Sequence, residues 1–185
     1  DQRKQKYSLL ADRILLGSGK DRTVSFTQLR QEIANYTNAN MQDATYSIYF
    51  EYLPTGTSIG VNESKNLVGA SLLKVPFAMQ YYRALEEGKL QASDTVTLQQ
   101  SHLDDSYGNL YKKGVGYQLT LGEVVQIMLL DSDNTALRVL AETLNSKAGL
   151  GTIDEVFSFV DLNYESDGEG ATLIGAESYS SILKC

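Results

Sequence analysis

Ser71 and Lys74 stand three residues apart in Ala70-Ser71-Leu72-Leu73-Lys74, where an apolar stretch from Val75 to Leu85 begins. On a helix this spacing stacks the two side chains on one face, a turn apart. An amine within hydrogen-bond reach of a hydroxyl is the least that a lysine needs to serve as base for a serine nucleophile. Alone the pair is weak, because average composition yields about one S-x-x-K by chance in a chain of this length. A second cluster follows at Ser132-Asp133-Asn134, 61 residues beyond Ser71. Read one at a time, Ser71 is a helix cap, Lys74 a solvated side chain and Ser132-Asp133-Asn134 an ordinary N-cap. Their order and separation are what join them.

The elements that must hold these residues are partly legible. Ala11 to Leu16 and Phe26 to Tyr36 read as helices, with a loop from Gly17 to Arg22. Thr45 to Leu53 is rich in β-branched and aromatic residues and reads as a strand. Pro54-Thr55-Gly56 supplies turn chemistry, and Ser58 to Val61 returns as the hairpin partner. In the Ser71 helix, Leu72, Val75, Met79 and Tyr82 make an apolar face, Pro76 falls near the first turn, and Gly88 suits the C-terminal cap. A loop-rich stretch leads to Thr120-x-x-Glu123, a capping box ahead of Leu121, Val124, Val125, Met128 and Leu129. Helices are expected over Thr135 to Leu144, Ile153 to Val160 and Ala176 to Leu183, with a break at Gly149-Leu150-Gly151 and an acidic loop from Asn163 to Gly170. Strands come first and helices fill the middle, the pattern of an incomplete α+β domain. The expected division is an N-terminal helical segment, residues 1–40, and a domain over 41–185 that is incomplete at its C-terminal end.

Bulk properties remove several classes of function. The 185 residues suffice for one domain or most of a larger one, and 42% hydrophobic with 21% charged residues describes an ordinary globule. A net charge of −7 without any lysine-arginine run argues against nucleic-acid binding. No apolar run approaches the ~18 residues of a membrane span. The single cysteine, Cys185, excludes an internal disulfide and a cysteine-based zinc site. His102 is the only histidine, so a Ser-His-Asp triad would need it; among Gln99 to Asp105 it reads as a solvated loop residue. No signal peptide is visible, and the start at Asp1 leaves the compartment open.

Ser71-x-x-Lys74 followed by Ser132-Asp133-Asn134 resembles the first two motifs of the serine β-lactamase and penicillin-binding protein superfamily. The separation matches class A β-lactamases, as do the hairpin before Ser71, Val75-Pro76 after the lysine and Thr135-Ala136 after Asn134. The resemblance runs from about Tyr46 to the C-terminus. It implies a helical subdomain beside part of an antiparallel sheet, and a metal-independent hydrolase with no cofactor that works outside the cytoplasm. Its substrates would be β-lactams or the D-alanyl-D-alanine peptides of peptidoglycan. By the same resemblance, Ser71 is the nucleophile and Lys74 its base, with a pKa brought down by desolvation and nearby positive charge. Ser132 relays a proton to the leaving nitrogen, and Asn134 binds the substrate amide and steadies the lysine. Asp133 ties the loop together, and the Ser71 N–H forms half of an oxyanion hole. Tyr107, in Ser106-Tyr107-Gly108-Asn109, either walls the cleft or packs as a surface tyrosine.

Two departures from the family pattern matter. Class A β-lactamases carry a deacylating glutamate in Glu-x-x-Leu-Asn before the last helix. Here Glu165 and Glu169 lack that context and are expected to be solvated. The third motif, Lys-Thr/Ser-Gly on a sheet strand, is also missing. The expectation is therefore the N-terminal part of a longer protein, acting with a remainder that bears that strand and not a competent hydrolase alone. Within the superfamily a β-lactamase-like enzyme is the first reading. A D,D-peptidase, a penicillin sensor that stays acylated and an inactive cell-wall scaffold are the alternatives.

Overall fold

The computed structural model describes residues 25–162 and 164–184; the helix expected at Ala11 to Leu16, and Asn163 and Cys185, lie outside them. The chain divides into two compact units, one formed by Ala70–Val160 and the other by the described residues up to Gly69 and again from Asp161.

The first unit is built around one helix. A 3-10 turn over Ala70–Leu73 runs into helix α2, Lys74–Glu86 (α1 belongs to the other unit), whose inward residues Phe77, Ala78, Tyr81 and Ala84 are all buried. Gly88, at φ +68°, ends it where the sequence places a cap. Helices α3 (Leu121–Leu130), α4 (Asn134–Thr143) and α5 (Ile153–Val160) all pack on α2. They contribute Leu121, Val124, Val125, Met128, Ala136, Val139, Leu140, Val156, Phe157 and Val160 to the same core. Each large side chain so buried contributes about 1.5–3 kcal/mol of transfer free energy, so the helix that carries Lys74 is anchored on several sides. The capping box at the start of α3 forms as expected: Thr120 Oγ1 accepts from Glu123 N, and the Glu123 carboxylate accepts from Thr120 N. Helix α4 continues as a π-turn over Leu144–Ala148 and stops at Gly149, φ +64°.

The stretch between Gly88 and Thr120 was expected to be loop. It contains a short antiparallel pair, β4 (Thr95–Thr97) with β5 (Gln118–Thr120), and two 3-10 turns, Gln100–His102 and Leu110–Lys113. Three-residue strands carry too little alternation to register in a sequence pattern.

In the second unit, α1 (Thr27–Asn40) precedes the hairpin of β1 (Ile48–Tyr52) and β2 (Thr57–Val61), paired from Ile48↔Val61 to Tyr52↔Thr57. A lone hairpin is marginal in water. Here α1 packs on β2 and helix α6 (Ala176–Ile182) packs on β1, while the Phe26 ring meets Phe50 edge-on at 5.3 Å. A second small sheet orders β3 (Leu67–Val68), β7 (Thr172–Ile174) and β6 (Glu165–Ser166), all antiparallel. Strand β6 lies where an acidic loop was expected; its two residues are held by pairing with β7 and not by their own propensity. The whole is α+β, with helices and short antiparallel sheets.

Candidate active site

Every group of the candidate site belongs to the first unit. Ser71 is exposed in the 3-10 turn, Lys74 opens α2, and the preceding Ala70 takes φ +42°. Such a backbone is costly for a residue with a Cβ and persists only where its surroundings impose it. An N–H at a helix start has no acceptor within its own helix, so that of Ser71 is suited to an oxyanion.

Ser132 lies between the end of α3 and the start of α4, also left-handed at φ +52°. Both of its oxygens meet one amine. Lys74 Nζ lies 2.6 Å from the Ser132 carbonyl oxygen, 3.0 Å from Ser132 Oγ, 2.8 Å from Asn134 Oδ1 and 3.1 Å from Ser71 Oγ. Ser132 Oγ and Ser71 Oγ are 2.7 Å apart. Lys74, Ser71, Ser132 and Asn134 are thus brought together as the sequence motifs require.

Four oxygens surround an ammonium that has three hydrogens. Two of them, the Ser132 carbonyl and Asn134 Oδ1, only accept. A neutral amine therefore spends both hydrogens on these two and turns its lone pair to the serine hydroxyls. The side chain is only 4% exposed, and burial pushes its pKa below the usual lysine value. The positive charge expected to assist is not what faces it: the nearest charged groups acting on Lys74 are the carboxylates of Asp133 and Asp104, which oppose the shift. Desolvation does the lowering.

Asp133 is 1% exposed, and its carboxylate accepts three backbone N–H groups from two segments of chain. Oδ2 accepts from Asn109 N at 2.7 Å and Leu110 N at 2.8 Å, and Oδ1 caps α4 by accepting from Ala136 N at 2.9 Å. Gly108 makes room for it: a Cβ there would lie 2.0 Å from Asp133 Oδ2, on a backbone at φ +94°. The backbone N–H of Asn134 donates to the Tyr107 carbonyl at 3.1 Å, while the Tyr107 side chain is 61% exposed.

Sequence reasoning missed the groups behind Asn134. Its Nδ2 donates to Ser106 Oγ at 2.9 Å, Ser106 donates through both its hydroxyl and its N–H to Asp104 Oδ1, and Arg138 donates to Asp104 Oδ2. The Ser106 hydrogen bonds, its hydroxyl first, hold the Asp104 carboxyl below its ordinary range, with the Arg138 guanidinium assisting. Asp104-x-Ser106 is a local turn signature that was available; the partners 28 and 34 residues away were not.

His102 differs from expectation. It is 5% exposed and engaged at both ring nitrogens: Nδ1 accepts from Gln99 N at 3.1 Å and Nε2 meets Glu142 Oε2 at 2.9 Å. Its polar neighbours in sequence suggested solvent, but a carboxylate 40 residues away closes over the ring. Neither nitrogen is left to serve a serine. Glu165 and Glu169 are exposed. Among the described residues, no group of three or more His, Cys, Asp or Glu is arranged to hold a metal ion, and no helix is long and apolar enough to cross a membrane.

The fold is that of the serine β-lactamases and penicillin-binding proteins. A mutant of PBP-A, solved as an acyl-enzyme complex with penicillin G, superposes with TM-score 0.75 at 21% identity, over 89% of this chain and 63% of that one. A β-lactamase from Sphaerobacter thermophilus DSM 20745 gives 0.67 at 18% identity, over 87% and 62%. Cefotaxime-bound penicillin-binding protein D2 from Listeria monocytogenes gives 0.61 at 17%, over 77% and 63%. The chain thus spans less than two thirds of these structures. No curated protein sequence matches it significantly. The profile of the beta-lactamase enzyme family matches residues 28–163, and the chain belongs to that family. Family and fold together place it in the serine β-lactamase and penicillin-binding protein superfamily.

Proposed function

We propose that this chain carries the acylation centre of an extracytoplasmic serine enzyme acting on β-lactams or on D-alanyl-D-alanine peptides. The observation that carries the reading is the Lys74 amine, buried with its two acceptor-only partners on one side and the Ser71 and Ser132 hydroxyls on the other. Neutral Lys74 takes the Ser71 proton as Oγ attacks the substrate carbonyl carbon. The Ser71 N–H receives part of the charge on the carbonyl oxygen. When the C–N bond breaks, the proton passes through Ser132 Oγ to the leaving nitrogen, and an ester at Ser71 remains. The second hydrogen of Asn134 Nδ2 is assigned to an amide carbonyl of the substrate. Tyr107, whose carbonyl accepts from Asn134 N and whose side chain is exposed, is assigned to the wall of the cleft.

Hydrolysis of that ester needs an activated water, and the exposed Glu165 and Glu169 lack the Glu-x-x-Leu-Asn context that serves this step in class A enzymes. That favours a D,D-peptidase or a penicillin sensor as the second reading beside a β-lactamase-like enzyme, which would confer antibiotic resistance. We assign the second oxyanion donor and the cation for the substrate carboxylate to a complementing segment of the same protein that bears Lys-Thr/Ser-Gly. The spans of 63% and 62% of the PBP-A and Sphaerobacter structures support that assignment. Losing one oxyanion donor costs about 2.7–4 kcal/mol of transition-state stabilisation, so the 185 residues alone are expected to turn over nitrocefin negligibly.

The test is incubation of the full-length protein with a fluorescent penicillin, followed by intact mass. A transient adduct with hydrolysed drug supports a β-lactamase, and a stable one a peptidase or sensor. No adduct at Ser71 overturns the proposal and leaves a scaffold.

A further inference from the structure

We propose that Ser106, clamped by Asp104 and Arg138, is a positioning residue that sets which end of the Asn134 amide faces Lys74. The inference rests on the acylation reading above and adds groups that reading does not need.

A carboxamide has an acceptor end and a donor end of nearly equal shape, and a half-turn exchanges them. Asn134 lies between Lys74 Nζ at 2.8 Å and Ser106 Oγ at 2.9 Å. While Lys74 is an ammonium, charge alone keeps Oδ1 toward it. Once Lys74 is neutral, that constraint weakens, and an amide turned the other way would donate Nδ2–H to the amine lone pair. This is the lone pair that must take the Ser71 proton, so a turned amide disables the base in its working state.

The groups behind Asn134 prevent the turn through hydrogen-bond polarity. The Asp104 carboxylate only accepts. It is kept ionised by the Ser106 N–H and hydroxyl and by Arg138, and the backbone N–H of Asp104 is itself bound to Thr135 Oγ1 at 3.0 Å. The Ser106 hydroxyl hydrogen is therefore committed to Asp104, and Ser106 Oγ has only lone pairs to offer Asn134. Only Nδ2 can meet them, so Oδ1 stays on Lys74 through the whole protonation cycle. Fixed acceptor, committed hydroxyl, oriented amide and free lone pair follow in that order from Asp104 to Lys74.

The experiment follows the Lys74 side chain by NMR in full-length protein labelled at the lysine ε-carbon, together with the second-order rate of acylation by a fluorescent penicillin. Asp133 and Asp104 are the charged groups acting on Lys74, and Ser106→Ala leaves both in place. Its expected effects are a Lys74 midpoint lowered by about one pH unit, because the turned amide donates to the neutral amine and stabilises it, and acylation slowed about tenfold. Ser106→Thr, which keeps the hydroxyl, is expected within about twofold of wild type. Asp104→Asn can donate to Ser106 and reverse the polarity, so it should acylate more slowly than Ser106→Ala. If Ser106→Ala fails to fold, Asp104→Asn against Ser106→Thr carries the rate comparison at a pH above both Lys74 midpoints, where the lost Asp104 charge no longer changes the neutral fraction. A Lys74 titration and acylation rate unchanged in Ser106→Ala overturn the proposal. Absence of any adduct in the wild type overturns the acylation reading instead, while the titration still decides the clamp.

Discussion

Ser132 grips Lys74 twice, with its carbonyl oxygen 2.6 Å and its hydroxyl 3.0 Å from Nζ, and it does so from a left-handed backbone at φ +52°. Such a torsion is costly for a residue with a Cβ and persists only where its surroundings impose it, so the strain sits on the residue that holds the amine. Ala70, next to Ser71, is also left-handed at φ +42°.

Ser132→Gly separates strain from chemistry. Glycine takes positive φ freely, so stability is expected unchanged within about 1 kcal/mol or raised. Loss of the hydroxyl proposed as relay should slow acylation about a hundredfold. Thermal melts and penicillin labelling read the two effects; a large fall in both would assign Ser132 a mainly structural role.

Acylation should accelerate with rising pH. The proposed base is neutral Lys74, and burial moves its titration below the usual lysine value of 10.5, so the rise is expected to reach its midpoint below that value. Lys74→Arg keeps the charge but cannot deprotonate, and should lose about 10²–10⁴ in rate with the alkaline rise abolished. Stopped-flow labelling across pH checks both.

Asp133→Ala would strand three backbone N–H groups, those of Asn109, Leu110 and Ala136. Orphaned buried donors cost about 1–3 kcal/mol each, so a loss of about 3 kcal/mol or more is expected in urea unfolding. Gly108→Ala, whose Cβ would meet the same carboxylate, should destabilise through the same contact. The double variant is then expected to lose less than the sum of the two.

In the second unit, Lys184 and Tyr49 both donate to Glu51, and these bonds, that of Lys184 first, hold its carboxyl below the ordinary value of 4.5. A carboxyl depressed in the folded state contributes stability above its unfolded value and loses it as pH falls through the folded one. Glu51→Gln should therefore lower Tm at neutral pH and match wild type in strong acid. A constant difference at all pH values would remove the ion pair as its cause.

Much of this was written in short stretches of chain. Ser71-x-x-Lys74, the Thr120–Glu123 capping box, Gly88 after α2 and the Asp133 cap of α4 all act over three or four residues or at one helix end. Such relations follow from helical geometry alone, which is why spacing exposes them. The two motifs together also carried the family.

Other features arise where distant segments meet. Strands of two or three residues, such as β4 and β6, exist because a partner holds them. His102 is buried with Nε2 against Glu142, and Asn134 lies between Ser106 and Lys74. The depressed pKa of Lys74 likewise depends on how much of α3 and α4 closes over one amine. Desolvation and hydrogen-bond polarity belong to surroundings assembled from across the chain, so residue types at fixed spacing named the candidate nucleophile and base, and packing decided their state and orientation.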